Sequence, residues 1–445
     1  MNSFSSSRVP RIRVAAQPLW PAVSVALLIV LSKIGPSWLI TGLNMYLVML
    51  ALVALMVTKR PLDAGLARCI GCFGVILVLG CLSGYTNELY AFGRDVWYVV
   101  NALMAFLAGY VLCVAAGEVG RILKAAILAG AFLGLVQLSP FFADPSLIML
   151  SAVAIREAVG TGFFAPALAL AILMGYRSQL RQFLKMSPMT AGICLTVCVL
   201  AVALTFSRTI VLITIASLVI VLGVKGTRLV WILVGGAAVL IMAAGLYGGI
   251  ADLDSSEARA SFLGKMARSV EELWISDYAD MKSISDNWRG YETAQALKQY
   301  ASGTPLNWLA GQGFGTLVKL GVGMRLGGSG DEAGRTLYHA IPVLHNGYAY
   351  LLIKGGAISV AAYLAFLAML WRVGSAAISR APEADAGRTA ALVLRSVAVV
   401  LAISTWVISG AFNKNDLTAF MIVGGALFAS LSALEAQGAS TGRAR

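Results

Sequence analysis

Apolar runs recur along almost the whole chain, separated by short polar segments. A run of roughly 18 or more apolar residues crosses about 30 Å of hydrocarbon as a helix. The pattern predicts twelve such spans, at 18–34, 38–57, 67–83, 96–116, 121–138, 159–176, 189–206, 209–224, 229–250, 344–371, 390–410 and 414–433. Backbone polar groups in lipid must be satisfied within their own segment, so each span is expected to be helical. The expected fold class is all-α: a polytopic transmembrane bundle, interrupted once by residues 251–342, where the apolar pattern breaks.

That interruption has a texture of its own. Residues 287–301 place Trp288, Tyr291, Ala294, Leu297 and Tyr300 at the spacing of one helical face, which predicts an amphipathic helix near the membrane surface with Asp286 or Asn287 at its start. Gly311 to Thr316 reads as a turn-rich loop, and Gly327, Gly328 and Gly330 with Asp331 and Glu332 as a mobile one. No strand precedes the glycines to make them a dinucleotide fingerprint.

Composition agrees with the pattern: 59% of the 445 residues are hydrophobic, 12% are charged, and the mean hydropathy is +0.82. A soluble domain averages roughly 45–50% apolar and 25% charged residues. The net charge of +13 does not point to nucleic acid, because the basic residues fall in short clusters between spans. Arg8, Arg11 and Arg13 precede the first span with no cleavage signature after it, the pattern of a retained anchor. The six cysteines lie in or beside apolar spans; Cys69 and Cys72 form a CxxC, but no second pair or nearby histidine completes a zinc site, so all six read as buried thiols.

The basic residues set an orientation. If residues 1–17 are cytoplasmic, inner loops hold Lys59, Arg60, Arg68, Arg121, Lys124, Arg177, Arg181, Lys185, Lys225, Arg228, Arg372, Arg380 and Arg388, while short outer loops hold only Lys33, Arg94, Arg156, Arg208 and Lys414. The expected order is then a cytoplasmic segment (1–17), nine spans (18–250), a large outer loop (251–342), three spans (343–433) and a cytoplasmic tail (434–445). The outer loop carries about eleven of the 21 acidic residues, and a loop of that length usually has structure and function.

Ionisable side chains near membrane depth mark functional sites. Three stand out at the outer face: Arg208, wedged between two spans with almost no loop; Arg289 at the start of the amphipathic helix; and His345, opening the tenth span. Singly, each has an ordinary reading, as a snorkelling cation, an exposed charge and an interfacial histidine bonded to a carbonyl. Together they are more specific. Glu292 either orients Arg289 or faces water, and water is the expectation. Trp274, Trp288, Tyr338, Tyr348 and Tyr350 fit an interfacial aromatic belt or a sugar-stacking surface, and Lys354 either points into a cavity or snorkels. A metal is not expected, since His339 and His345 lie six apart; Asp277, Asp280 and Asp286 are the alternative ligands.

Ser207-Arg208 ending a span, an arginine in the large outer loop, and His345-Asn346-Gly347-Tyr348 followed by Leu351, Leu352, Gly355 and Gly356 resemble the bacterial O-antigen ligase and polysaccharide polymerase family over roughly residues 195–375. The resemblance implies a multi-pass inner-membrane protein with cytoplasmic termini and a periplasmic loop. It implies an enzyme, a metal- and cofactor-independent inverting glycosyltransferase that takes a glycan from undecaprenyl diphosphate and passes it to a sugar hydroxyl. The acceptor is lipid A-core for an O-antigen ligase in lipopolysaccharide biosynthesis, or a growing glycan for a polymerase. In this reading Arg208 and Arg289 clamp the diphosphate, and His345 is the general base. Asn346, Tyr291, Tyr348, Trp288 and Lys354 contact substrate. The competing class is a lipid or solute transporter, which calls for broken helices and charges at mid-bilayer.

Overall fold

The computed structural model describes residues 19–57, 64–149, 155, 158–160, 163–205, 207–223, 284, 287–325, 337–382, 385–412 and 417–442. Among the described residues eight α-helices precede the large loop: α1 (Trp20–Ile34), α2 (Ser37–Val57), α3 (Ala64–Gly84), α4 (Leu89–Ala116), α5 (Val119–Ala143), α6 (Ala165–Gly175), α7 (Pro188–Ala203) and α8 (Arg208–Val221). The described part of the loop holds α9 (Trp288–Ala301), α10 (Pro305–Ala310) and the strands β1 (Val318–Arg325) and β2 (Leu337–Ile341). The bundle resumes with α11 (Gly347–Arg380), α12 (Ala386–Ile408) and α13 (Thr418–Gly442).

Each predicted span overlaps a helix, in some cases over only part of its length, except the ninth, 229–250, which lies outside the described residues. Five helices, α3, α4, α5, α11 and α12, are long and apolar enough to cross a bilayer, and further apolar helices of 10–17 residues accompany them. The chain is thus a multi-pass helical membrane protein. It is not purely α: β1 and β2 form an antiparallel ribbon, pairing Val318 with Ile341 and Arg325 with Leu337 around an irregularity between Lys319 and Met324. Val318 and Leu320 turn inward while Lys319 is exposed, the two-residue period of a strand. The tail expected from residue 434 continues as the last turns of α13.

Local chemistry explains the helix ends. Ser187 caps α7, accepting from the Thr190 amide, and Pro188 fills the first turn, where its missing N–H costs nothing. Thr304 and Asn307 form a reciprocal capping box on α10, and Gly117 supplies the left-handed residue that ends α4. Lipid offers no hydrophobic drive between helices, so contact depends on close packing. At the α4–α13 crossing a Cβ on Gly109 would overlap the Ile422 carbonyl, and one on Gly425 the Phe106 carbonyl. Phe366 of α11 meets Phe73 of α3 at 5.0 Å and Phe106 of α4 at 5.3 Å between ring centroids, edge to face.

The two ends of the bundle differ. At one, Lys185 reaches Glu118 at 2.9 Å, Arg121 reaches Glu118 at 3.2 Å, the Tyr176 hydroxyl donates to the Ala386 carbonyl, and Val221 and Thr389 converge on Gly175. The opposite end gathers Gly84, the segment 311–316, α9, the ribbon and the start of α11. Residues 311–316 are no surface loop. Phe314 is fully buried, its amide donates to the Gly80 carbonyl at 2.8 Å, and its backbone lies where a Cβ on Gly84 would sit. Gly311, Gly313 and Gly315 all have positive φ, the conformation glycine adopts without strain. Across from Gly311, α11 breaks at Gly356 (φ 69°), and the Leu309 carbonyl of α10 fills the gap.

Candidate active site

Glu292 carries the geometry of the site. It lies on the inward face of α9, 3% exposed, where a face turned to water was expected. The face that turns in is Gly290, Tyr291, Glu292 and Ala296, while Leu297 is exposed, so the helix sits rotated from its apolar stripe. A carboxylate is hidden in this way only when it is paired. One oxygen, Oε2, accepts the backbone amide of His345 at 3.1 Å and faces ring Nδ1 at 2.8 Å. The imidazole side chain is 44% exposed, against 4% for Glu292. With the proton on Nδ1, that nitrogen donates to Glu292 and Nε2 keeps its lone pair for a base.

Asn346 caps α11: its Oδ1 accepts the amides of Tyr348 and Ala349 at 3.0 and 3.1 Å. Its side-chain oxygen is thereby committed to the backbone, and Glu292, not Asn346, fixes the histidine ring. The cap holds His345 just ahead of the first turn of α11, and Ser409 braces the same corner by donating to the Leu344 carbonyl.

Arg289 is half-buried on α9, three residues before Glu292, a spacing that puts Cβ atoms about 5–6 Å apart. Arg208 is half-buried as the first residue of α8. The C-terminal end of α8 meets the N-terminal end of α12, through Val221 and Thr389, so the packed pair runs antiparallel. Fourteen residues at 1.5 Å each then carry Arg208 about 20 Å along α12, toward its Ala402 end, where Tyr348 of α11 is attached. Arg208, Arg289 and His345 therefore occupy the same end of the bundle.

The other expected contact residues are engaged with the protein. Tyr291 is buried and donates to the Leu320 carbonyl of β1; Trp288, half-buried, sets its ring 6.1 Å from that of Tyr291. The Tyr348 hydroxyl donates to the Ala402 carbonyl at 3.2 Å, and its ring lies 6.3 Å from Trp406. Lys354 does not snorkel: it is 1% exposed and pairs with Asp95 of α4 at 2.6 Å. Tyr350 is buried, and His339 is exposed on β2. Trp274, Asp277, Asp280 and Asp286 lie outside the described residues, as do Gly327 to Glu332.

Sequence reasoning turned Glu292 to water and missed Asp95 and Asn87 altogether. Asn87 donates to the carbonyls of Phe314 at 2.7 Å and Gln312 at 3.4 Å, tying the 311–316 segment to the α3–α4 turn. The available signal was glycine spacing: alternate glycines at 311, 313 and 315, matched by Gly80 and Gly84 on α3 and by Gly355 and Gly356 on α11. Among the described residues no group of three His, Cys, Asp or Glu side chains converges as a metal set. Comparison with known proteins adds no family: no protein-family model matches the chain, and no curated protein matches it.

Proposed function

We propose that the protein is an inverting glycosyltransferase of the bacterial inner membrane, with twelve spans, cytoplasmic termini and the α9–ribbon face in the periplasm. Its donor is a glycan on undecaprenyl diphosphate. The single observation that carries this reading is the Glu292–His345 pair, a buried carboxylate that fixes a part-exposed imidazole at the end of a membrane bundle. The anomeric carbon of a polyprenyl-linked sugar sits just above the lipid surface, the level this reading assigns to the imidazole at the head of α11.

In the step proposed, His345 Nε2 takes the proton of the acceptor hydroxyl as its oxygen attacks the anomeric carbon from the face opposite the diphosphate. The bond between the anomeric carbon and the diphosphate oxygen breaks, its electron pair leaves with the polyprenyl diphosphate, and the configuration inverts. Negative charge grows on the departing phosphate, where the planar forks of Arg208 and Arg289 bind oxygens in pairs and never titrate away. Glu292 stabilises the imidazolium that forms. We favour the O-antigen ligase form, with lipid A-core as acceptor; a polymerase acting on a growing glycan shares this chemistry. Surface polysaccharide from a deletion strain separates them: a ligase loss leaves free polymer and uncapped lipopolysaccharide, and a polymerase loss leaves single repeats.

A transporter is the second reading, and the broken α11 with a charged pair beside the break favours it. The break, however, is filled by the chain's own α10 and Gly311, which leaves a cargo no place there. Reconstituted protein that moves labelled lipid across vesicles and transfers no sugar would decide for transport.

A further inference from the structure

We infer that Lys354 and Asp95 are positioning residues, a buried ion pair that seats the 311–316 segment and, through it, holds the helix that presents Glu292 to His345. This deepens the glycosyltransferase reading and rests on it for its catalytic consequence. Lys354 donates to the Thr316 carbonyl as well as pairing with Asp95, and the same Asp95 oxygen accepts the Gly315 amide at 2.7 Å. The pair thus grips two consecutive residues of the segment from two helices, α11 and α4. Further along, the Gln312 amide donates to Ile353 at 2.7 Å and that of Gly313 to Lys354 at 3.1 Å, so the segment takes main-chain bonds from the residues just before the Gly356 break.

The segment in turn carries α9. Gln299 donates to Gln312 Oε1 at 2.8 Å and to the Leu317 carbonyl at 3.1 Å, and Gln312 donates back to the Gln299 carbonyl at 3.3 Å. Gln299 lies seven residues after Glu292, two turns on and on the same helical face. A shift of the segment therefore moves the carboxylate that fixes the histidine ring. An ordinary stabilising pair would serve as well as two apolar side chains of the same volume. This one also supplies a side-chain donor to the Thr316 carbonyl and a side-chain acceptor for the Gly315 amide, which apolar replacements lack.

The test is hydrogen–deuterium exchange of the full chain in lipid nanodiscs, comparing wild type with K354M, D95N and the K354M/D95N double variant. The double variant buries no lone charge and so keeps the bundle folded if either single variant does not. Expected is an exchange at least ~10-fold faster for the amides of Gln312 to Gly315 in every folded variant, with the mid-span amides of α4 and α12 unchanged. Protection of those four amides equal to wild type in the folded variants overturns the inference. Transfer from a lipid-linked glycan is measured on the same preparations. The expected result is a kcat at least ~10-fold lower with the donor KM within about twofold, the mark of a misplaced base. A KM rise at constant kcat overturns the positioning role. If wild type itself transfers nothing, the glycosyltransferase reading fails, while the exchange result still decides whether the pair seats the segment.

Discussion

At the level of single residues, Glu292 and His345 have separable effects. His345→Ala removes the base and is expected to reduce transfer by about 10²–10⁴-fold while leaving donor binding intact, read by single-turnover kinetics beside a binding assay. Unchanged turnover would remove the base assignment. Glu292→Gln keeps shape and burial but exchanges a charged acceptor for a neutral one, so kcat is expected to fall by at least about tenfold with little loss of fold, checked by thermal unfolding of the same sample. Arg208→Lys replaces a planar fork with a point charge, and a clear loss of kcat/KM is the expected outcome; full activity would reduce Arg208 to a helix-end anchor. The sequence shows His345 and the arginines as charges out of place in an apolar chain. It hides Glu292, because a glutamate on an amphipathic helix next to an arginine looks like every solvated glutamate. Only the partner brought in by the fold, 53 positions away, makes it different.

Among the elements, the glycines decide more than the apolar stripes. Gly84→Ala would drive a methyl group into the Phe314 backbone, whereas Gly71→Ala, on the same helix, meets nothing within 4 Å. The first is expected to destabilise by about 1–3 kcal/mol and the second to be neutral or stabilising by up to about 1 kcal/mol, compared by thermal unfolding in one detergent. Equal behaviour of the two would mean that the 311–316 segment is not packed against α3. The transmembrane elements were legible because a long apolar run has few alternatives. The amphipathic helix was placed within a residue of α9, but its inward face was not, because the apolar stripe of Trp288, Tyr291 and Leu297 competes with hydrogen bonds made by Glu292 and Gln299. The ribbon was overlooked although Val318 and Leu320 alternate with polar or small residues along β1, since β1 is interrupted by Gly321 and Gly323 and β2 is only five residues long.

Over the whole molecule, one end is basic and holds the Glu118–Lys185 and Glu118–Arg121 pairs, and the other holds the candidate site. The Lys185 hydrogen bond, with help from Arg121, holds the Glu118 carboxyl below its usual range. A depressed carboxyl contributes stability above its unfolded pKa and loses it as pH falls through the folded one. The stability difference between wild type and Glu118→Gln is therefore expected at neutral pH, at less than about 1 kcal/mol for so exposed a pair, and to vanish in acid below the usual carboxylate range. A difference that persists there would contradict the pairing. The orientation argument depends on the same asymmetry: cysteines introduced near Lys185 and near Ser302 should label from opposite sides of intact cells.

The most direct test is a transfer assay with purified protein in liposomes, supplied with an undecaprenyl-diphosphate-linked glycan and an acceptor glycolipid, with the anomeric configuration of the product read by NMR. Wild type should form a product of inverted configuration, Glu292→Gln should slow its formation, and His345→Ala should all but abolish it. A product of retained configuration, or equal rates in all three proteins, would contradict the account.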